Sequence, residues 1–450
     1  MATLLLKNAT FLITMDEERR CFQNGALFVR DNVIESVGPA DKLPQKAERI
    51  IDASGMVVLP GLVNTHHHLY QTLTRALPYA ADAPLFDWLR TLYPIWARLT
   101  GEAVYISALI GLAELALSGC TTTADHLYLF PNDVSLDDEI RAAQEIGIRF
   151  HPCRGSMSFG ESEGGLPPDS MVQREEEIMA DCERVVNKYH DPKPYAMCRI
   201  ALAPCSPFSV TQELMRETAS CARERGLMLH THVAETSDEE RFCLERFGLR
   251  PAAYMEKLGW VGEDVWYAHA VHLNEEEIAL LARTGTGVAH CPTSNMRLGS
   301  GIAPVKEMLE AGVRVGLAVD GSSSNDSSQM LAEARMALLL QRVKKGADAL
   351  SVYQALEMAT RGGAAVLGRD DIGALAPGKA ADFIAIRLDR LEYAGAHDPL
   401  VSLLLCAPVH AELSVINGRT VVESGRLVNC DLEEIIPRQN EIARRLVEGL

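Results

Sequence analysis

Short apolar runs separated by turn residues fill the first 60 positions: residues 3–6, 26–30, 33–37, 49–52 and 56–59, punctuated by Gly25, Asp31, Asn32 and Gly55. Runs of this length between such breakers predict strands. The same texture returns at the far end, in residues 381–387, 412–416 and 421–422, where Asn417 and Gly418 mark a hairpin. Neither end has enough strands to close a core alone. The two are therefore expected to pair into one small β-sandwich.

Between them the period changes to strand, loop, helix, repeated. Strands are expected at residues 62–66, 121–125, 148–153, 200–203, 228–232, 265–269, 287–290 and 313–319. Helical segments at 101–117, 171–189, 211–224, 275–282 and 330–345 separate them. Eight strand-helix units in about 300 residues predict an α/β chain folded as a (β/α)8 TIM-type barrel. The expected division is residues 1–60 for the first part of the sandwich and 61–370 for the catalytic barrel. Residues 371–450 then complete the sandwich and add a terminal helix. Two stretches without a periodic pattern, 77–87 and 156–170, follow strands one and three and would overhang the carboxyl ends of the strands. They read as substrate loops, with solvent-exposed insertions as the alternative.

Composition narrows the class. With 43 Lys+Arg against 61 Asp+Glu the formal charge is −18, which argues against a surface that tracks phosphates, so no nucleic-acid partner is expected. Hydrophobic residues at 47% and charged residues at 23% are those of an ordinary globular chain. The longest apolar run, residues 106–117, is interrupted by Glu114 and falls short of the roughly 18 residues a bilayer requires. The N-terminal residues lack the basic, apolar and small-residue order of a secretory leader. The 11 cysteines include no C-x-x-C pair, which predicts reduced thiols in a cytoplasmic protein and no cysteine zinc site.

The candidate chemistry gathers at strand ends. His66 and His68 leave the first strand as His-x-His, and period-two alternation points both the same way while His67 points opposite. Two converging imidazoles make half a metal site. His232 closes the fifth strand, His269 the sixth and Asp320 the eighth, so all five side chains face one barrel mouth.

The strings VLPGLVNTHHHL, LHTHVAE, AHCPTSN, AVDGSSSND and GALAPGKAADFIAI, with the AH of WYAHAVH, resemble the amidohydrolase superfamily across essentially the whole chain. The likeness is to its aminohydrolase branch of cytosine, guanine and adenosine-type deaminases. It implies that His66, His68, His232 and Asp320 hold the metal. Binuclear members add a Lys closing strand four, where this chain reads ALAPCSPF, so one divalent ion is implied. Zinc is the expected ion, with iron(II) open, because three imidazoles and a carboxylate suit either.

Such a set leaves one position open on the ion, which lowers the pKa of bound water from 15.7 toward about 7. Deamination then needs two proton movements. Glu235 is placed to shuttle a proton to the ring, Asp320 to take one from water and His269 to polarise the attacking oxygen, the roles the resemblance also implies. Gln71, Arg154, Cys205, Ser206 and His272 stand on loops expected to face the ligand; each also admits a purely structural role. His126 follows Asp125 on strand two, and His290 closes strand seven; neither is assigned a role. The longer strings HHHLYQTLTRA, PLFDWLRTLYPIWARLT, SGCTTTADHLYLFP and RGSMSFGESEGGLPP resemble branch members acting on 8-oxoguanine. The expected reaction is 8-oxoguanine plus water to uric acid plus ammonia. Hydroxyatrazine-type N-alkylaminohydrolysis and isoxanthopterin deamination stay open on the same site, as do amide or chloride hydrolysis and a metal-free scaffold. A purine-sized heterocycle as partner, no membrane and a homo-oligomeric assembly complete the expectation.

Overall fold

The computed structural model describes residues 2 to 449. Among the described residues, eight parallel strands pair in chain order: Leu62–Asn64, Cys120–Leu127, Arg149–Ser156, Ala201–Pro204, Met228–Val233, Val265–His269, Gly287–His290 and Val315–Leu317. All eight fall where the alternation of strand and helix puts them. Cys120–Leu127 and Arg149–Ser156 are buried at every position, as parallel strands covered on both faces must be. The seam closes where the Thr65 N–H donates to the Leu317 carbonyl at 3.0 Å and the Val319 N–H to Asn64 Oδ1 at 2.9 Å. One residue on, the Asp320 N–H donates to the His66 carbonyl at 3.2 Å. The first and last strands are thus tied together at the level of the candidate ligands.

The other sheet interleaves both ends of the chain. Its nine strands, counted among the described residues, bring Phe383–Arg387 antiparallel against Met56–Pro60, with Phe383 opposite Pro60. Thr3–Ile13 runs through the middle, pairing first with Arg49–Asp52 and then with Met56–Pro60. The sheet folds over itself. Asn32 Nδ2 donates to Asn417 Oδ1 at 3.0 Å, and Val33 bridges Ala380. Leu4, Leu6, Leu27, Val29, Phe383, Ala385, Leu413 and Val415 fill the space enclosed, one face of each strand at period two. Asn417 (φ 51°) and Gly418 (φ 79°) both adopt left-handed backbone, the requirement of a two-residue hairpin turn.

Three elements depart from the expectation. Strand one stops at Asn64, because beyond Thr65 the chain turns to aim its histidines and enters the 3-10 segment Leu69–Thr74. Residues 77–87 are not one loop: Leu85–Trp96 is a helix with Pro84 at its N-cap and Pro94 inside it. Leu85, Trp88, Leu89, Leu92, Tyr93 and Trp96 make its buried face at helical spacing. The second expected helix segment, 171–189, begins at Glu175, since the Gln173 N–H is used in a bond to the Met157 carbonyl at 2.9 Å. Of residues 156–170, Ser156 ends the third strand, and the rest carries only the short 3-10 turns Glu161–Glu163 and Asp169–Met171. They rest on the loop after strand four through bonds from Ser158 and Phe159 to the Ser209 carbonyl and from Leu166 to the Phe208 carbonyl. The final helix, Leu432–Val447, packs on Gly101–Leu117 and reaches the strand-one loop through Gln439 Nε2 to Thr72 Oγ1 at 2.9 Å.

Barrel and sandwich are joined by a buried ion pair. Arg149, on the third barrel strand, meets both oxygens of Asp382 at 3.1 and 3.0 Å, and its third nitrogen reaches the Tyr195 and Ala196 carbonyls. The Arg149 side chain is wholly buried and that of Asp382 is 3% exposed. Removing one partner strands the other charge. Arg149→Met should cost about 3–5 kcal/mol in urea unfolding, and a loss under 1 kcal/mol would show that the pair is not the joint described.

Candidate metal centre and active site

Each candidate imidazole is held by its Nδ1. His68 Nδ1 lies 2.7 Å from the His126 carbonyl and His232 Nδ1 lies 2.7 Å from the Cys205 carbonyl. A carbonyl can only accept, so the hydrogen of each ring sits on Nδ1 and a lone pair on Nε2. His66 is fixed through a relay. His230 Nδ1–H donates to the Trp266 carbonyl at 3.0 Å, leaving His230 Nε2 to accept from His66 Nδ1–H at 2.7 Å. The His230 ring stacks on Trp266 with centroids 4.3 Å apart, which holds the relay in place. His269 Nδ1 lies 2.9 Å from Asn295 Oδ1 and presents its Nε2 in turn.

These Nε2 atoms converge. His68 Nε2 and His232 Nε2 are 3.2 Å apart, and Asp320 Oδ1 lies 3.3 Å from His66 Nε2 and 3.6 Å from His68 Nε2. His66, His232 and His269 present ligand atoms within 4.8 Å of one another, as do His66, His68 and Asp320. Two neutral lone pairs facing at 3.2 Å repel, and His66 Nε2 is buried with no hydrogen-bond partner. A cation between them satisfies the group. Burial pushes the imidazoles of His66, His68 and His232 below their ordinary range, so they stay neutral and ready to ligate. Burial opposes ionisation of Asp320 too, but the close approach of His66 and His269 outweighs it and holds the carboxyl well below the usual range. The donor set fits one divalent ion.

The proton-handling groups stand beside it. Glu235 Oε2 lies 3.5 Å from His269 Nε2, and Asp320 Oδ2 lies 3.9 Å from the same nitrogen. Burial pushes the Glu235 carboxyl up to about 7, with Asp320 adding and His269 opposing. A group poised there exchanges protons readily at neutral pH. Its loop is anchored by Glu239, whose carboxylate accepts the Ala234 and Glu235 N–H groups at 2.7 and 2.8 Å. Ala234, His269 and Asp320 all adopt positive φ, at 56°, 72° and 63°. Asp320 is further oriented by the Gly321 N–H on Oδ1 at 2.7 Å and the Ser324 hydroxyl on Oδ2 at 3.1 Å.

In front of this cluster lies a cavity of about 420 Å³ including its open mouth. Gln71, Cys205 and Ser206 line it, as the sequence led one to expect, and Leu85, Trp88, Leu89 and Tyr93 of the helix Leu85–Trp96 form its far wall. A wider open groove at the other end of the barrel, bordered by Arg19, Arg361 and Lys379, lies nowhere near the histidines.

Two expected contacts are turned away. Arg154 does not line the cavity: it is saturated by Asp181 at 2.7 Å, Gln173 at 3.2 Å and the Gly155 carbonyl, and its guanidinium lies over Phe130. His272 Nε2 bonds the Ser300 carbonyl at 2.8 Å and so pins a neighbouring loop. His290 is buried with neither ring nitrogen bonded, and His126 Nε2 donates to the Ala203 carbonyl at 2.7 Å. Sequence reasoning passed over His230, Asn295 and Glu239. For His230 a signal was present, since His230 and His232 form a second His-x-His.

The chain is similar to known proteins along its length. A family model for the amidohydrolase family matches residues 57–424. An 8-oxoguanine deaminase of Pseudomonas aeruginosa is 51% identical over 94% of this chain and 95% of its own. A hydroxydechloroatrazine ethylaminohydrolase of Pseudomonas sp. (strain ADP) is 38% identical over 100% of this chain and 97% of its own. Among solved structures, atrazine chlorohydrolase of Arthrobacter aurescens complexed with zinc superposes with a TM-score of 0.94 at 36% identity, covering 98% of this chain and all of that one.

Three substitutions separate the roles. His232→Ala should abolish both bound metal and turnover, whereas Glu235→Gln should keep the metal and lose turnover. His230→Leu, which removes only the acceptor behind His66, should weaken metal affinity by about 10–100-fold. Full metal occupancy in the His232 variant, measured by elemental analysis, would contradict the ligand set.

Proposed function

The chain belongs to the amidohydrolase family, and from that membership we propose that it deaminates an oxidised purine hydrolytically, converting 8-oxoguanine and water to uric acid and ammonia. The observation that carries the reading is the convergence of Nε2 lone pairs on one point, with Glu235 beside it and a narrow cavity in front. The 51% identity to the Pseudomonas aeruginosa deaminase supports the substrate. His66, His68, His232 and Asp320 would hold the ion. When bound, it supplies Lewis acidity that makes a water nucleophilic at neutral pH.

The chain's own groups do the rest. Asp320, kept ionised, accepts the proton that leaves the attacking water. Glu235, poised near 7, delivers a proton to the ring nitrogen next to the carbon under attack and recovers one from the new hydroxyl as the carbonyl forms, while the proton held by Asp320 passes to the amine, which leaves as ammonia. His269 hydrogen-bonds the attacking oxygen and is kept in orientation by Asn295. The cavity wall of Leu85, Trp88 and Leu89 keeps bulk water from the ring.

Zinc rather than iron belongs to the same reading, supported by the zinc complex of the structural neighbour. A cytoplasmic, homo-oligomeric enzyme also belongs to it. All 11 cysteines are free thiols, which suits a reducing compartment, and no helix among the described residues is long and apolar enough to cross a membrane.

Guanine differs from 8-oxoguanine in presenting an acceptor at N7 and no oxygen at C8. A site bonded to the oxidised edge would reject it by up to about 10⁴. Measuring kcat/KM for release of ammonia, or of alkylamine from hydroxyatrazine, should place 8-oxoguanine at least tenfold above guanine, isoxanthopterin and hydroxyatrazine. Preference for either of the last two would retain the hydrolytic metal site and replace the substrate.

A further inference from the structure

The wall of the cavity carries donors without acceptors. Gln71 Oε1 is taken by the Ser323 N–H at 3.2 Å, which fixes the orientation of the amide. Its NH2 end is left with one long contact, 3.5 Å to the Tyr70 hydroxyl. Close packing enforces this pose, for a Cβ on Gly321 would lie 2.0 Å from Gln71 Oε1. Gln71 therefore faces the cavity as a donor.

Tyr93 is the second. It lies on the cavity-facing side of the helix Leu85–Trp96, is 1% exposed, and its hydroxyl meets only the Met157 thioether, at 3.8 Å, among the described residues. A thioether is a weak acceptor, and a buried hydroxyl left so poorly paired is costly unless another acceptor arrives. The ring packs edge-on against Trp96, with centroids 6.1 Å apart. Burial pushes ionisation of the hydroxyl far above the ordinary range, which keeps the hydrogen in place to donate.

We propose that Tyr93 is a specificity-determining residue, its hydroxyl donating to a carbonyl oxygen of the bound heterocycle while the Gln71 amide donates to a second acceptor on the same ring. The inference rests on the heterocycle-deaminase reading above and deepens it. A substrate must present a carbonyl oxygen and a second acceptor to this wall, which oxo-substituted rings do and adenine, with ring-nitrogen acceptors but no carbonyl, does not. It also assigns substrate recognition to the helix Leu85–Trp96 as well as to the loops.

The test is Tyr93→Phe, which removes the hydroxyl and keeps the ring, with Met157→Leu as a comparison. Steady-state kinetics with 8-oxoguanine, guanine, isoxanthopterin and hydroxyatrazine should show kcat/KM for the best substrate falling about tenfold in Tyr93→Phe, with metal content and melting temperature unchanged. Met157→Leu should stay within twofold of wild type. A selective fall for 8-oxoguanine over guanine would identify O8 as the acceptor, and an equal fall for both would identify O6. Wild-type turnover with Tyr93→Phe within twofold overturns the inference alone, as does Met157→Leu reproducing the loss, since the hydroxyl would then serve the thioether. Absence of wild-type turnover on all four compounds overturns the proposed function, and this inference falls with it.

Discussion

Neutral imidazoles that point their lone pairs at one spot in a dry interior repel one another, and the whole upper end of the barrel is arranged around that repulsion. The 3.2 Å approach of His68 and His232 is relieved by a cation between them. Around it the chain supplies acceptors for every opposite nitrogen: two backbone carbonyls, a second histidine and an asparagine side chain. Each acceptor removes a rotational freedom from its ring. Positioning, rather than extra affinity, is what these outer contacts contribute.

That arrangement is held against local preference. Ala234, His269 and Asp320 sit at positive φ, where side chains other than glycine pay in sterics, and such outliers persist only when surrounding structure over-determines them. Here Glu239 grips the turn at Ala234 and Glu235, while Asp320 is bound from both its oxygens and its own N–H. Strain at the strand ends is thus balanced by hydrogen bonds to a rigid parallel sheet. A looser scaffold would let Glu235 drift from His269.

Much of this was legible in the amino acids because strand ends in such a barrel share one face. A His or Asp closing a strand is therefore near every other residue that does so. Eight strands of period two, with helices between, fixed the face. Arg154 and His272 misled for an instructive reason: a polar residue near a strand end can also turn sideways and satisfy a neighbour, and Asp181 and the Ser300 carbonyl took them. The helix Leu85–Trp96 was hidden by Pro84 and Pro94, which read as breaks although apolar residues recur at helical spacing between and around them. Partners such as Asn295 leave no pattern, since a single amide in the short helix Pro292–Arg297 looks the same whether it bonds a histidine or water.

The pairing of Met56–Pro60 with Phe383–Arg387 has a consequence for how the chain is made. A strand that leaves the ribosome early finds its neighbour only after more than 300 further residues have been added. At about 5–20 residues per second, that is a delay on the order of tens of seconds. Through that interval the edge of Met56–Pro60 that faces Phe383–Arg387, and the open edge of the first barrel strand that waits for Val315–Leu317, have no native partner. Nascent chains of this kind are where holding chaperones act, and the yield of folded enzyme in a cell then depends on what shields the N-terminal strands during synthesis.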